Sequence, residues 1–250
     1  MHVDVFDREA GMTQKIVISG LTAAGKTTHT KLLAETLGFR AVHFTDLLFR
    51  ELQVEAGSSD QIWFSRLREI ESMRAGGSAD RRADEAIGAL LDADEPMVVD
   101  AVLAPWLHPG RQINVWLGSD RASRAWKCSV SRLPGVISTD DSLRLLDEKD
   151  AFTRAYLWQE RTVDLYTDRS CFDLVLDNSH LIGEPTLDAA RKGIEELHQV
   201  LLAYVNWRLQ HQDDALLELV DTAAPGLAAV VRMDVDRLTL PQTVLASRRI

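Results

Sequence analysis

Residues 20–27 read Gly20-Leu21-Thr22-Ala23-Ala24-Gly25-Lys26-Thr27, a complete G-x-x-x-x-G-K-T loop directly behind the apolar run Lys15-Ile16-Val17-Ile18-Ser19. A helical pattern follows over residues 27–37, with Leu32, Leu33 and Leu37 aimed at the core and Gly38 in the C-capping position. A strand, a glycine turn and a helix in that order bring successive backbone N–H groups and a helix N-terminus to one point, which is an anion-binding geometry. In such a loop the lysine, Lys26, reaches the terminal phosphates of a nucleotide and the hydroxyl of Thr27 holds magnesium. The expected ligands are therefore a nucleoside triphosphate and magnesium, with Gly20, Ala23, Ala24, Gly25, Lys26, Thr27 and Thr28 as the nucleotide-binding set.

Further apolar runs alternate with helical patterns: Ala41-Val42-His43-Phe44, then residues 97–103, residues 113–117 and Phe172-Asp173-Leu174-Val175-Leu176. Their apolarity is continuous, as strands covered on both faces require. The expected fold is α/β, with a five-stranded parallel sheet flanked by helices. Ala83, Ala86, Ile87, Leu90 and Leu91 form a helical stripe with Asp80 placed to cap it.

Two segments interrupt this rhythm. Residues 57–78 carry Trp63, Phe64 and Ile70 among charges and end in Gly76-Gly77-Ser78, which reads as a small helical insertion hinged on its glycines. Residues 131–149 contain Leu133-Pro134-Gly135 and an acidic helix start at Thr139-Asp140-Asp141. A long helix begins at Thr186. Beyond Trp207 lies a tail with an apolar run from Leu227 to Val231, suited to packing on the core or on a second copy in a homodimer.

The formal charge of −10, from 28 basic and 38 acidic residues, argues against a nucleic-acid polymer as partner, since such readers carry a broad basic footprint. Cys128 and Cys171 are too few for a disulfide framework and lack metal-ligand spacing, which fits a reducing compartment. No run is long enough to span a membrane and the first residues lack a signal-peptide pattern, so the expectation is a cytoplasmic protein without a membrane partner.

A guanine-reading N-K-x-D segment is absent, which removes the switch GTPases. The order strand, loop, helix, strand, insertion, two strands, arginine-bearing insertion, strand suits a small-molecule kinase. Four stretches sharpen this: residues 18–35; Phe49-Arg50-Glu51-Leu52; residues 98–107 from Val98-Val99-Asp100 to Trp106-Leu107; and residues 168–179, ending Phe172-Asp173-Leu174-Val175-Leu176-Asp177-Asn178-Ser179. By them the chain resembles the cytidylate kinase-like family of P-loop nucleoside monophosphate kinases over about residues 14–203.

The resemblance implies a P-loop NTPase fold and transfer of the γ-phosphoryl group of ATP to a nucleoside monophosphate, a CMP-like pyrimidine nucleotide first. It implies charge stabilisation by Lys26, a grip on the acceptor's phosphate by Arg50, and an ATP-contacting lid arginine at Arg124. Lys127 and Arg132 follow on the same helical face, and Lys149 and Arg154 on the lid's return. Asp100, ending an apolar strand, reaches magnesium through water alongside Thr27, orients an acceptor group, or simply forms a turn. Asp46 either binds the acceptor or caps the next helix. His29 reads as a helix-surface residue, and packing is the reading for most of Trp106, Trp116, Trp126 and Trp158. The expected division is a kinase domain over 13–205, with an acceptor-binding insertion at 57–78 and a lid at 124–154, and a C-terminal extension over 206–250.

The chain also departs from the family pattern. Val102 stands where the family carries an acceptor-binding arginine, and Asp147 and Glu148 occupy lid positions that are often basic. A phosphate clamp lost in this way is worth about 1.5–3 kcal/mol. Two alternatives follow: a kinase of a nucleoside or other specialised metabolite on the same fold, and a nucleotide-binding regulatory protein without transferase activity.

Overall fold

The structure, a computed structural model, describes residues 14–54, 66–110, 112–130, 138–179, 181–184, 186–210 and 231–232. Trp63, Phe64, Arg132, Leu133-Pro134-Gly135 and most of the tail lie outside the described residues.

Strand β1 (Lys15–Gly20) is the centre of the sheet. Beside it on one side lie β3 (Met97–Asp100) and then β2 (Arg40–His43); on the other lie β4 (Ile113–Gly118) and β5 (Leu174–Asp177). All four pairings are parallel, and β6 (Val231–Arg232) adds an antiparallel edge against β5. The five parallel strands are the five expected from the sequence. The third ends three residues early, at Asp100, where the chain turns and Ser19 Oγ donates to Val102 O at 2.6 Å.

Alternation along the strands sorts the core into two layers. Ile16 and Ile18 face α1 (Lys26–Leu37) and the long C-terminal helix Leu187–Gln210, packing with Leu33, Leu197 and Leu201. Val17, Val42 and Val99 face the opposite layer, with Ile87 and Leu91. Gly38 caps α1 in the left-handed conformation, as the sequence suggested.

After β2 the chain enters α2 (Phe44–Glu51) without a loop, then α3 (Leu67–Arg74) and α4 (Ser78–Asp92). Ile70 of α3 is buried against Leu48 and Phe49 of α2 and Ala83 of α4. Asp80 does not cap α4: the helix starts at Ser78 behind Gly77, which leaves Asp80 buried inside the first turn. The other end of α4 is held by Lys15, whose buried ammonium donates to Leu90 O at 3.2 Å, to Glu95 O at 2.6 Å and to Ala93 O. A cation is favourable there because a helix C-terminus presents unpaired carbonyls.

A short helix, α5 (Ala104–Leu107), leads to β4, and α6 (Arg121–Val130) and α7 (Thr139–Arg161) pack against each other over the sheet's C-terminal edge. Ser138 caps α7 by accepting from Asp141 N at 3.0 Å. Thr186 Oγ1 accepts from Ala189 N at 3.2 Å and opens the last helix, α8 (Leu187–Gln210). That helix crosses position 205, the expected domain limit, without a break. Among the described residues no helix is long and apolar enough to cross a membrane.

Candidate active site

The glycine loop leaves β1 at Gly20 with φ 146, where a Cβ would stand 2.4 Å from Leu117 O of β4. Only glycine allows that approach. Ala23 (φ 61) and Gly25 (φ 101) also take positive φ, curling the loop back so that Gly25 becomes the N-cap of α1. Gly25 offers no side-chain cap, and the N–H groups of Lys26, Thr27 and Thr28 in the first helical turn have no intrahelical partner. Strained backbone around unpaired donors fits a bound phosphate chain.

Asp100 lies at the end of β3, the strand beside β1. Thr27 Oγ1 donates to its Oδ2 at 2.7 Å, and His43 Nδ1, from the end of β2, stands 3.5 Å away. Burial alone would raise the Asp100 carboxyl. The His43 imidazole, Lys26 and the Thr27 hydroxyl outweigh it and hold the group below the usual carboxylate range. A hydroxyl and an ionised carboxylate side by side are the oxygen donors that magnesium takes, so these two residues fit the ion that accompanies ATP.

A cavity of ≈ 560 Å³ opens on the loop. The strand order reverses about β1, where α/β sheets place ligands, and this divides the cavity wall. On the β5 side it is mostly apolar, with Leu181, Ile182, Leu187, Ala190, Ile194 and Leu197. On the β3 side it is polar, with Thr45, Arg74, Asp80, Asp84 and Tyr156, and Val102 among them.

Two buried contacts hold the loop, through Asp150 and Asn178 on the cavity wall. Asp150 of α7 accepts from Thr22 N at 3.2 Å through one oxygen and from Arg124 through the other, while Arg124 also donates to Thr22 O at 3.2 Å. Asn178, just past β5, donates to Ala24 O at 2.9 Å, and its side-chain oxygen accepts from Lys127, which also donates to Ser119 Oγ at 2.7 Å. Burial lowers the Lys127 ammonium to a pKa of about 8.

On the polar side Arg74, buried at the end of α3, grips both oxygens of Asp80: Nε lies 3.1 Å from each and Nη2 lies 2.5 Å from Oδ1. Its guanidinium lies over the Phe152 ring at 4.4 Å. One turn beyond Asp80, Asp84 is 6% exposed, with Tyr156 Oη 3.5 Å from Oδ2. Burial, reinforced by the charge of Asp80, raises its carboxyl to about 7.

The structure thus brings Gly20, Ala23, Ala24, Gly25, Lys26, Thr27, Thr28, Asp100, Lys127 and Lys149 to one cavity. Lys26 Nζ donates across the loop to Leu21 O at 3.0 Å. Arg124 is off the cavity wall, buried against Asp150 and Thr22 O of the loop. Arg50 is exposed on the outer face of α2, because Leu48 and Phe49 take the core face, and Asp46 is exposed on the same helix. Arg154 is exposed and paired with Asp164 at 2.9 Å. The tryptophans do not line the cavity: Trp106 and Trp116 pack edge-on with Phe172, and Trp158 is exposed. His29 is a correction to the sequence reading. It is buried on α1, stacked on His198 at 6.4 Å, and desolvation holds its pKa down at about 3.

Sequence reasoning missed Arg74, Asp84, Asp150 and Tyr156. One signal was available for Asp84: Asp80, Asp84, Ile87 and Leu91 recur at helical spacing, which puts both carboxylates on the buried face of α4.

A glycine loop between a central parallel strand and a helix, with a magnesium-competent pair beside its lysine and helices closing over the strand ends, defines a P-loop phosphotransferase, a kinase. No family model matches the chain. A cytidylate kinase of Pyrobaculum aerophilum is 30% identical over 167 residues, 66% of this chain and 84% of the relative. A cytidylate kinase of Thermococcus sibiricus is 30% identical over 162 residues, 65% and 78% of the two chains, and one of Pyrococcus abyssi is 27% identical over 184 residues, 74% and 95%. The chain belongs to the cytidylate kinase family. In fold it is similar to the crystal structure of an uncharacterized protein from Eubacterium ventriosum, with a TM-score of 0.51 and 12% identity over 78% of this chain and 98% of that one.

Proposed function

We propose that the chain transfers the γ-phosphoryl group of ATP, with Mg2+, to a small-molecule acceptor on the β3 side of the cleft. The observation that carries this reading is the Thr27–Asp100 contact beside Lys26, on a cavity that continues to both sides of the loop. The apolar wall against α8 is suited to the base of ATP, and the first-turn N–H groups of α1 to its phosphates. Bound magnesium neutralises phosphate charge, and Thr27 and Asp100 would hold it. Lys26 stabilises the charge that develops on the transferring group, while α6 and α7 keep water from it. Little covalent chemistry is asked of the protein, since phosphoryl transfer is largely a matter of positioning and electrostatics.

Family membership makes a CMP-like nucleotide the first acceptor to try. A second reading, a metabolite without a phosphate, is favoured by Val102 on the cavity wall and by the occupation of Arg74 with Asp80. The test is acceptor-dependent ADP formation with purified protein, Mg2+ and ATP across nucleotides, nucleosides and hydroxylated metabolites. Turnover with any one of them supports the transferase. ATP binding without acceptor-dependent turnover would instead favour a nucleotide-binding regulator.

A further inference from the structure

We propose that Asn178 and Lys127 are positioning residues for the phosphates of ATP: Lys127 orients the Asn178 amide, Asn178 holds the carbonyl of Ala24, and the N–H of Gly25 is thereby aimed into the curl of the glycine loop. This rests on the phosphotransferase reading and deepens its donor half.

A trans peptide group is planar, so its C=O and N–H point in opposite directions. The carbonyl of Ala24 and the N–H of Gly25 belong to one such group. Asn178 Nδ2 donates to Ala24 O at 2.9 Å from the β5 side, which turns the Gly25 N–H the other way. That N–H finds no hydrogen-bond partner among the described residues. It joins the N–H groups of Lys26, Thr27 and Thr28 as a further donor for one anion. The hold matters because the residue after the carbonyl is a glycine. Gly25 takes φ 101, and a glycine lets the peptide plane turn over at little steric cost. A plane turned over would present a carbonyl to the phosphates in place of a donor.

By shape alone the Asn178 amide could face Ala24 with either end. Lys127 decides which, because an ammonium only donates. The amide oxygen accepts from Lys127 on α6, and the nitrogen is left for Ala24 O. Lys127 is anchored in turn, donating to Ser119 Oγ at 2.7 Å. The backbone of Asn178 is fixed as well, its N–H donating to Gly118 O of β4 at 2.9 Å, and the residue is 3% exposed. The amide therefore has little room to reorient. A cation on its oxygen also polarises it, which strengthens the bond that its nitrogen donates. The three groups come from α6, the end of β5 and the loop, and they meet only in the fold.

The experiment is displacement of a fluorescent ATP analogue from the full chain by ATP, inorganic tripolyphosphate or adenosine, each with Mg2+. It compares the wild type with Asn178→Ala, Lys127→Met, Lys127→Arg and the double variant Asn178→Ala with Lys127→Met. In Asn178→Ala the Kd for ATP and for tripolyphosphate should rise about tenfold, the worth of one hydrogen bond to a charged group, with the Kd for adenosine unchanged. Lys127→Met should move the same two probes in the same direction, and Lys127→Arg, which still donates, should stay close to the wild type. The double variant should bind no worse than Asn178→Ala alone, since both changes break one relay. Should Asn178→Ala fail to melt cooperatively, Lys127→Met against Lys127→Arg decides the matter by the same criteria. An unchanged Kd for tripolyphosphate in Asn178→Ala, or an equal loss for adenosine, would overturn the proposal. Additive losses in the double variant would overturn it too, by putting Lys127 on the phosphates directly. A wild type that binds neither ATP nor tripolyphosphate would overturn the nucleotide reading itself, a result distinct from these.

Discussion

The hydroxyl of Thr27, in the first turn of α1, and the carboxylate of Asp100, at the end of β3, meet at 2.7 Å. Neither group is close to the other in sequence, and the pairing of Ile18 with Asp100 in the β1–β3 ladder is what brings them together. The contact joins the helix proposed to bind phosphate to the strand that carries the proposed magnesium-holding acid. Asp100→Asn keeps the shape and removes the charge. It should raise the Mg2+ concentration for half-maximal rate by about 10–100-fold, the usual effect of losing a group that supports a metal. A magnesium curve that does not move would make Asp100 a turn-forming residue.

Asp150 and Arg124 form a buried pair, 3% and 5% exposed, against Thr22 of the glycine loop. Removing one partner leaves the other charged and unmatched, so Asp150→Ala should lower stability by about 3–5 kcal/mol in urea unfolding. Replacing both, as in Arg124→Met with Asp150→Leu, should recover much of that loss. Phosphoryl transfer separates the two roles open to Arg124. If the arginine swings to ATP during turnover, the double variant stays folded and slow; full activity would make the pair purely structural.

His29 has a folded pKa of about 3 against an unpaired value of 6.5, because burial, His198 and Lys127 all oppose its charge. The unfolded chain therefore takes up a proton at His29 as pH falls below 6.5, while the folded one does not. Its contribution to stability is full above 6.5 and is lost progressively toward 3. Urea midpoints measured at about pH 7.5 and about pH 4.5 should differ less in His29→Gln than in the wild type. Equal differences would mean that the imidazole is exposed.

The sheet was legible because its strands are continuous apolar runs and because glycines fix where β1 must turn. The loop was legible for the same reason: Gly20 sits against Leu117 O, a constraint only glycine meets. The polar β3 side of the cavity was not, since its character depends on which charges meet in space. Arg74 was an unremarked cation in an interrupted segment until α3 and α4 set it on Asp80. Arg50 drew attention by position, yet Leu48, Phe49 and Leu52 of the same stretch claim the core and turn it outward. His29 read as surface because its partner, His198, lies on a helix far along the chain. Asp84 was the recoverable miss, being in phase with Asp80, Ile87 and Leu91.

The most direct test of phosphoryl transfer at this cleft is a single-turnover experiment with γ-labelled ATP, Mg2+ and the acceptor mixture, for the wild type and Lys26→Ala. Lys26 is partly buried, and among the described residues its side chain donates to Leu21 O, so the variant should fold normally by circular dichroism and melting temperature. The expected result is label moving into a small molecule in the wild type, and moving about 10²–10³-fold more slowly in the variant, as when one charge-stabilising donor is removed from an active site. Equal rates in the two proteins, or label that never leaves ATP in the wild type, would contradict it.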